Sequence, residues 1–228
     1  MPYHAKTIVV GCGNLLFKDD GIGPIVVNLL EKYFENQTED DFDPMVISYI
    51  ENDFSKDVLK EVEDIVCDVD LSGEVKFIDA GNGATHFIFS LPDEYWEKVI
   101  VVDVVDYDAE PGSVRTFSPF EMPRDKYENV HTYAVEEPLH ELSEKCEVVI
   151  VGCKPGEITT PTVDMGLTEE VEKSVPDAIR LILNEIKWTF YFFNLLLLNR
   201  ISTIFYYYFL FFITDYYFFK FWPIFNHY

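Results

Sequence analysis

The sequence predicts an α/β fold whose mainly parallel, twisted sheet is covered by helices on both faces. Short β-branched apolar runs alternate along the chain with stretches in which apolar residues recur at helical spacing. The runs are apolar throughout rather than at every second position, which is typical of strands buried on both faces of a parallel sheet. The 228 residues suit one such domain with a substantial core.

The first half of the chain predicts three strands and two helices. In order these are a strand at 7–10, a helix from 22 to 33, a possible strand at 45–50, a helix at 54–66 and a strand at 75–78. Glycine-rich turns follow the first and last of these strands, as Gly11-Cys12-Gly13 and as Asp79-Ala80-Gly81-Asn82-Gly83. Ligand sites in such sheets lie beyond the carboxyl ends of the strands, so the residues that follow each strand are examined for chemistry.

The second half predicts the rest of the sheet and a final helix. It contains an apolar strand at 99–102 that runs into Asp103, an edge strand at 114–117, a short helix at 138–145 and a strand at 148–151. Pro138 occupies a favoured first position of its helix. Thr168 is expected to cap the final helix, and Pro176 is expected to break or kink it.

The charge of the chain excludes one class of partner. Acidic side chains outnumber basic ones by 41 to 17, which gives a formal net charge of -24. Nucleic acid is therefore not expected as a partner, because its binding begins with clustered Lys and Arg. The charge indicates either a strongly solvated surface or a basic protein partner attracted by the field.

The four cysteines predict neither a structural zinc site nor disulfides. Cys12, Cys67, Cys146 and Cys153 are widely spaced, without a Cys-x-x-Cys pair. No signal peptide precedes the first apolar run, so we expect a cytoplasmic protein whose thiols stay reduced. Cys12 and Cys153 follow glycines at the ends of apolar runs and are expected to be buried and inert.

The last 41 residues, 188–228, differ in kind from the domain predicted for residues 1–187. They contain no Gly, Ala, Val or Glu, and Phe and Tyr fill 18 positions. The uncharged stretch between Arg200 and Asp215 has 14 residues, short of the roughly 20 that span a bilayer. Our hypothesis is that this aromatic tail is translated A/T-rich sequence past a lost stop codon or frameshift. An interfacial membrane segment is the alternative.

Residues 11–23 form a glycine-rich segment between the first strand and first helix, but they do not predict a nucleotide site. Leu16 stands where the third glycine of the dinucleotide pattern G-x-G-x-x-G belongs, and the Gly-Lys-Ser/Thr of a P-loop is missing. Adjacent carboxylates at Asp19 and Asp20 would repel a pyrophosphate.

Two aspartates and a histidine are the candidate metal ligands. Of the Asp19–Asp20 pair, one is expected to cap the helix while the other points into a cleft. Asp103 ends a buried strand, a usual position for a site residue, and His131 precedes a loop. Each also has a structural explanation: a cap, a turn acceptor or a satisfied histidine. Together, Asp20, Asp103 and His131 would leave open positions on a divalent ion.

The string Gly-x-Gly-Asn-x-Leu-x-x-Asp-Asp-Gly-x-Gly resembles the opening signature of the hydrogenase maturation proteases. These endopeptidases trim the large subunit of nickel–iron hydrogenases. Further blocks resemble the family in order, namely Asp79-Ala80-Gly81, residues 102–106 with 110–112, Val130-His131, residues 152–155 and residues 166–168. Residues 85–89 and 138–142 are most similar to the methanogen branch that serves the coenzyme F420-reducing hydrogenase.

The resemblance implies a three-layer, phosphorylase/hydrolase-like sandwich and a nickel site made by Asp20, Asp103 and His131. It also implies that the nickel comes with the substrate, a nickel-loaded hydrogenase large-subunit precursor whose C-terminal peptide is removed. Nickel could polarise the scissile carbonyl or lower the pKa of a water, and Asp19 or Asp79 could relay the proton. A non-hydrolytic nickel-sensing chaperone and a nucleotide-binding module remain alternatives. Neither His-Glu-x-x-His nor Gly-x-Ser-x-Gly occurs, which excludes a zincin and disfavours a serine hydrolase.

Overall fold

The computed structural model describes residues 5–34, 43–67, 69–71, 75–84, 96–121 and 138–187. Within these ranges the predicted α/β fold is confirmed, with a five-stranded sheet in the order β2-β1-β3-β5-β4. The strands are β1 (Thr7–Cys12), β2 (Val75–Gly81), β3 (Lys98–Val104), β4 (Val114–Phe117) and β5 (Glu147–Cys153).

The sheet is parallel except at one edge. β1 pairs in parallel with β2 on one side and with β3 on the other, and β3 pairs in parallel with β5. The short strand β4 lies antiparallel to β5 at the edge, as the sequence predicts. From β1 the chain passes to β2 on one side, while from β3 it continues to β5 on the other. The chain therefore changes direction between β1 and β3, and ligands bind beyond the carboxyl ends of strands at such a point.

Six α-helical segments of four or more residues lie within the described ranges. They are α1 (Ile22–Phe34), α2 (Pro44–Asn52), α3 (Lys56–Val66), α4 (residues 138–143), α5 (Glu169–Glu172) and α6 (residues 175–187). The break between α5 and α6 confirms the expectation at Pro176, which lies in the first turn of α6.

The expected strand at 45–50 is wrong, because these residues form α2. Asp43 caps the helix by accepting a hydrogen bond from the Met45 amide at 2.8 Å, and Pro44 fills the first helical position. Val46, Tyr49 and Ile50 are buried at helical spacing. A short apolar run fits a strand and one face of a helix equally well, so the cap and the proline decide between them.

Apolar layers cover both faces of the sheet. One face carries Ile8, Val10 and Cys12 of β1 and packs with Leu139 of α4 in a single buried cluster. On the other face, the Phe34 ring at the end of α1 stacks on Phe77 of β2, with 6.0 Å between the ring centroids. Burial of large apolar side chains at about 25 cal/mol per Å² dominates the stability of such layers.

Two predictions concern residues outside the described ranges. His131 lies in the segment 122–137, and the aromatic tail comprises residues 188–228. The domain boundary after residue 187 and the nature of the tail therefore stay predictions. Among the described residues, no helix is long and apolar enough to cross a membrane.

Candidate functional site

The candidate site lies at the carboxyl edge of the sheet, beyond the ends of β1 and β3. Gly11-Cys12 ends β1, and Asp103 lies one residue from the end of β3. Gly11 pairs with Val102, which places Cys12 and Asp103 at neighbouring positions on adjacent strands. Side chains alternate along a strand, so Asp103 lies on the same face as Val99 and Val101, the face that also carries Cys12.

The pKa of the Cys12 thiol depends on several carboxylates at this edge. Cys12 is 4% exposed, and burial raises the pKa of its thiol well above the usual value. The negative charges of Asp103, Asp79 and Asp20 raise this pKa further. A carboxylate acts on a thiol in this way only from nearby. Asp20, Asp79 and Asp103 are therefore all within electrostatic range of this thiol.

Asp20 is positioned by a glycine. It lies on a 3-10 turn, Lys18–Gly21, that leads directly into α1. Gly13 has a φ of 109°, and a Cβ there would lie 1.8 Å from the carbonyl oxygen of Asp20. The absence of that Cβ lets the turn fold back over the end of β1, where the Asn14 amide donates to the Asp20 carbonyl at 2.9 Å.

A second glycine brings α1 onto the strand ends. A Cβ on Gly23 would lie 2.1 Å from the Cys12 carbonyl oxygen and 2.5 Å from that of Val102. The first turn of α1 thus rests on the ends of both β1 and β3. The Gly-rich signature serves close packing of the acidic turn against the sheet, which explains why it does not follow a phosphate-binding pattern.

Asp79 is held at the end of β2 by two donors. The Asn28 side chain of α1 donates to Oδ2 at 2.8 Å, and the Gly81 amide donates to Oδ1 at 3.1 Å. Burial raises the pKa of the Asp79 carboxyl, while both hydrogen bonds act in the opposite direction. A raised pKa makes a carboxyl group better suited to general acid–base chemistry than an ordinary one.

The sequence analysis missed Asn28. This residue is 1% exposed and also donates to the Pro24 carbonyl at 2.8 Å. Its only signal in the sequence is an amide side chain within a run of buried apolar residues on α1. A buried amide needs partners, and here one partner is a site carboxylate.

Asp19 has a structural role and does not cap α1. Its carboxylate, 0% exposed, accepts from the amides of Gly156 and Glu157, each at 2.8 Å, and from the Thr168 amide at 2.7 Å. The Thr168 hydroxyl donates to the same carboxylate at 3.0 Å. Four donors therefore satisfy this carboxylate. The pairing ties the acidic turn to the loop after β5.

The buried cysteines follow the prediction. Cys12 and Cys153 are buried and Cys67 is exposed, and all four cysteines are free thiols. Burial raises the pKa of the Cys153 thiol to about 11, which leaves it protonated at neutral pH. The described residues contain no group of three or more His, Cys, Asp or Glu side chains that could hold a metal ion. The predicted three-ligand site includes His131, which lies outside the described ranges, so this site stays a prediction.

Comparisons with known proteins agree on one family. A family model for hydrogenase maturation proteases matches residues 58–185, more than half of the chain. The coenzyme F420 hydrogenase subunit delta of Methanothermobacter thermautotrophicus is 49% identical over 186 residues, which are 82% of this chain and 98% of that protein. This similarity confirms the predicted resemblance to the methanogen branch.

Solved structures agree in fold. The hydrogenase maturating endopeptidase HybD from E. coli superposes with a TM-score of 0.54 at 17% identity, covering 81% of this chain and 94% of that one. The solution structure of an endopeptidase from Escherichia coli gives a TM-score of 0.55 at 18% identity, covering 81% and 93%.

Proposed function

The chain belongs to the hydrogenase maturation protease family, and we propose that it removes the C-terminal peptide of a nickel–iron hydrogenase large-subunit precursor once nickel has been inserted. The family consists of endopeptidases. The observation that supports the nickel dependence is geometric: Asp103 near the end of β3 and Asp20, whose carboxyl carbon would lie 3.5 Å from a Cβ on Gly13, both lie at the carboxyl edge of the sheet beside the end of β1. Grouped like charges at the carboxyl edge of a sheet favour a bound cation.

The donor set suits nickel. Two carboxylates, Asp20 and Asp103, offer oxygen ligands, and His131 would add an imidazole nitrogen, a ligand that suits nickel. Three protein ligands leave coordination positions open for the substrate. We therefore assign the nickel to the precursor. The three residues would bind this nickel while it is still part of the substrate.

Each residue has a distinct task in peptide hydrolysis. Nickel would supply Lewis-acid activation of the scissile carbonyl or of a water. Asp79, held by Asn28 and Gly81, accepts the proton of the attacking water and returns it to the leaving amine. Asp20 and Asp103 fix the position of the cut relative to the metal, which is where orientation lowers the barrier.

The substrate is proposed from the similarity to the coenzyme F420 hydrogenase subunit delta. We infer that the partner is the large-subunit precursor of a coenzyme F420-reducing hydrogenase. A wild-type chain mixed with that nickel-loaded precursor should release one C-terminal peptide, detected by mass spectrometry as a single cut. Intact precursor after prolonged incubation would contradict a protease and leave a nickel-sensing chaperone as the better account.

The isolated protein should carry little metal. Two carboxylates and one imidazole hold nickel weakly until the ligands of the precursor complete the coordination. Elemental analysis after dialysis should find nickel far below one atom per chain. Stoichiometric nickel that survives dialysis would show a resident cofactor instead of a metal carried by the substrate.

A further inference from the structure

A short extended segment lies against the acidic turn, and we call residues 162–166 the outer segment. The Asp164 amide donates to the Leu16 carbonyl at 2.9 Å, and the Lys18 amide donates to the Asp164 carbonyl at 2.9 Å. Phe17 and Asp164 thus form an isolated parallel bridge. Lys18 begins the 3-10 turn that carries Asp20, so the outer segment borders the candidate site.

The outer segment has an open edge. Backbone groups of successive residues in an extended chain point in opposite directions, so those of Val163 and Met165 point away from Leu16 and Lys18. Within the described part of the chain, neither backbone makes a hydrogen bond. The side chains of Val163 and Met165 are 64% and 43% exposed. An edge with unsatisfied backbone groups and exposed apolar side chains is a template for pairing with another chain.

Asp19 and Tyr49 hold the outer segment in place. Asp19 fixes both ends of the loop that contains it, through Gly156, Glu157 and Thr168. The Tyr49 ring of α2 packs on Gly166, where a Cβ would lie 2.8 Å from the ring. The Tyr49 hydroxyl also accepts a hydrogen bond from the Leu167 amide at 3.1 Å. An edge that is already ordered loses little entropy when a partner binds.

We propose that the outer segment binds an extended stretch of the precursor near the cut bond, adding it as a strand. The inference rests on the proposed function, because it takes the substrate to be a polypeptide whose cleaved bond lies at the neighbouring turn. Main-chain hydrogen bonds to Val163 and Met165 supply affinity in this mode. The net charge of -24 favours a stretch without excess acidic residues, apolar where it faces Val163 and Met165.

Met165→Pro tests strand addition, because proline removes the outward amide while leaving the bonds of Asp164 in place. The dissociation constant for the nickel-loaded precursor, measured by calorimetry, should rise about tenfold. KM should rise similarly, with kcat nearly unchanged. Asp70→Pro is the matched control. Asp70 is exposed, has no regular secondary structure and precedes β2 in the chain. It should bind like the wild type.

Val163→Asp is a second variant, at a position too exposed to disturb folding. It should also weaken binding, because it places a charge where an apolar contact is expected. Circular dichroism and the melting temperature verify that each variant is folded. An unchanged dissociation constant in folded Met165→Pro overturns strand addition, whatever Val163→Asp does. If the wild-type protein binds the precursor without cutting it, the proposed function is refuted but strand addition is not. The dissociation constants of the wild type and Met165→Pro then still decide the role of the outer segment.

Discussion

The two edges of the sheet handle buried charge in opposite ways. At the amino edge, Lys98 begins β3 with its side chain 2% exposed, and its ammonium pairs with Glu185 at 2.5 Å and Glu147 at 3.2 Å. At the carboxyl edge, at the other end of this seven-residue strand, the charges of Asp20, Asp79 and Asp103 raise the pKa of the buried Cys12 thiol. The amino edge combines opposite charges within the fold, while the carboxyl edge gathers like charges.

The two arrangements of charge differ in what they do for the stability of the fold. Opposite charges at close range offset each other's desolvation, so the amino edge contributes to the folded state by itself. Like charges at close range disfavour one another's ionisation. Such an arrangement persists where a bound cation or a proton-transfer role compensates for it. The comparison therefore predicts that variants of the grouped carboxylates Asp20, Asp79 and Asp103 affect processing, and that variants of Lys98 at the amino edge affect folding.

The largest effect is expected at the ligands. Asp103→Asn or His131→Ala should lower kcat/KM for processing by more than about a hundredfold, because each removes one of the three proposed nickel ligands. The fold should survive Asp103→Asn, since this change keeps the volume of the side chain. A processing assay with circular dichroism checks both statements. Unfolding of either variant would give that residue a structural role instead.

Asp19→Ala should be the most destabilising change at the carboxyl edge. It leaves three backbone amides and the Thr168 hydroxyl without their acceptor, which should lower the free energy of unfolding by about 4 kcal/mol. Urea denaturation measures the loss, with exposed Asp70→Ala as the matched control. A loss below about 1 kcal/mol would show that the loop after β5 does not depend on Asp19.

A substitution at the amino edge should change the stability of the fold and leave processing unchanged. Lys98→Ala leaves Glu185 and Glu147 without their shared cation and should lower the free energy of unfolding by about 3 kcal/mol. Processing per folded molecule should stay at the wild-type value. Exposed Lys145→Ala is the control. A loss of processing in folded Lys98→Ala would break the division between the two edges.

The smallest effect concerns proton transfer. The Asn28 hydrogen bond lowers the pKa of Asp79 against the dominant effect of burial, so Asn28→Ala should raise that pKa. If Asp79 must be ionised to accept a proton, the acid limb of kcat/KM should move to higher pH by up to about one unit. Asn52→Ala, at an exposed position of α2, is the control and should leave the pH profile unchanged. A profile that does not move would exclude Asp79 as the relay.

Sequence patterns predicted the sheet and placed Asp20 and Asp103 at its carboxyl edge, because both follow buried strands whose carboxyl ends share that edge; their joint role as metal ligands stays a prediction. They did not separate the roles of Asp19 and Asp79. Those roles depend on partners 137 residues away for Asp19 at Gly156 and 51 residues away for Asp79 at Asn28. Such contacts follow from tertiary packing, which periodicity and turn signals do not encode. The helix at 44–52 was missed for a local reason, since one cap and one proline outweighed a strand-like run.

The measurement that tests the account most directly is cleavage of one precursor in two forms, with and without inserted nickel. Wild-type protein should cut the nickel-loaded form and leave the nickel-free form intact over the same time, because the proposed role of Asp20 and Asp103 is to bind the metal that the precursor carries. Equal cleavage of both forms would contradict the account, since the grouped charges of Asp20 and Asp103 would then serve some purpose other than nickel recognition.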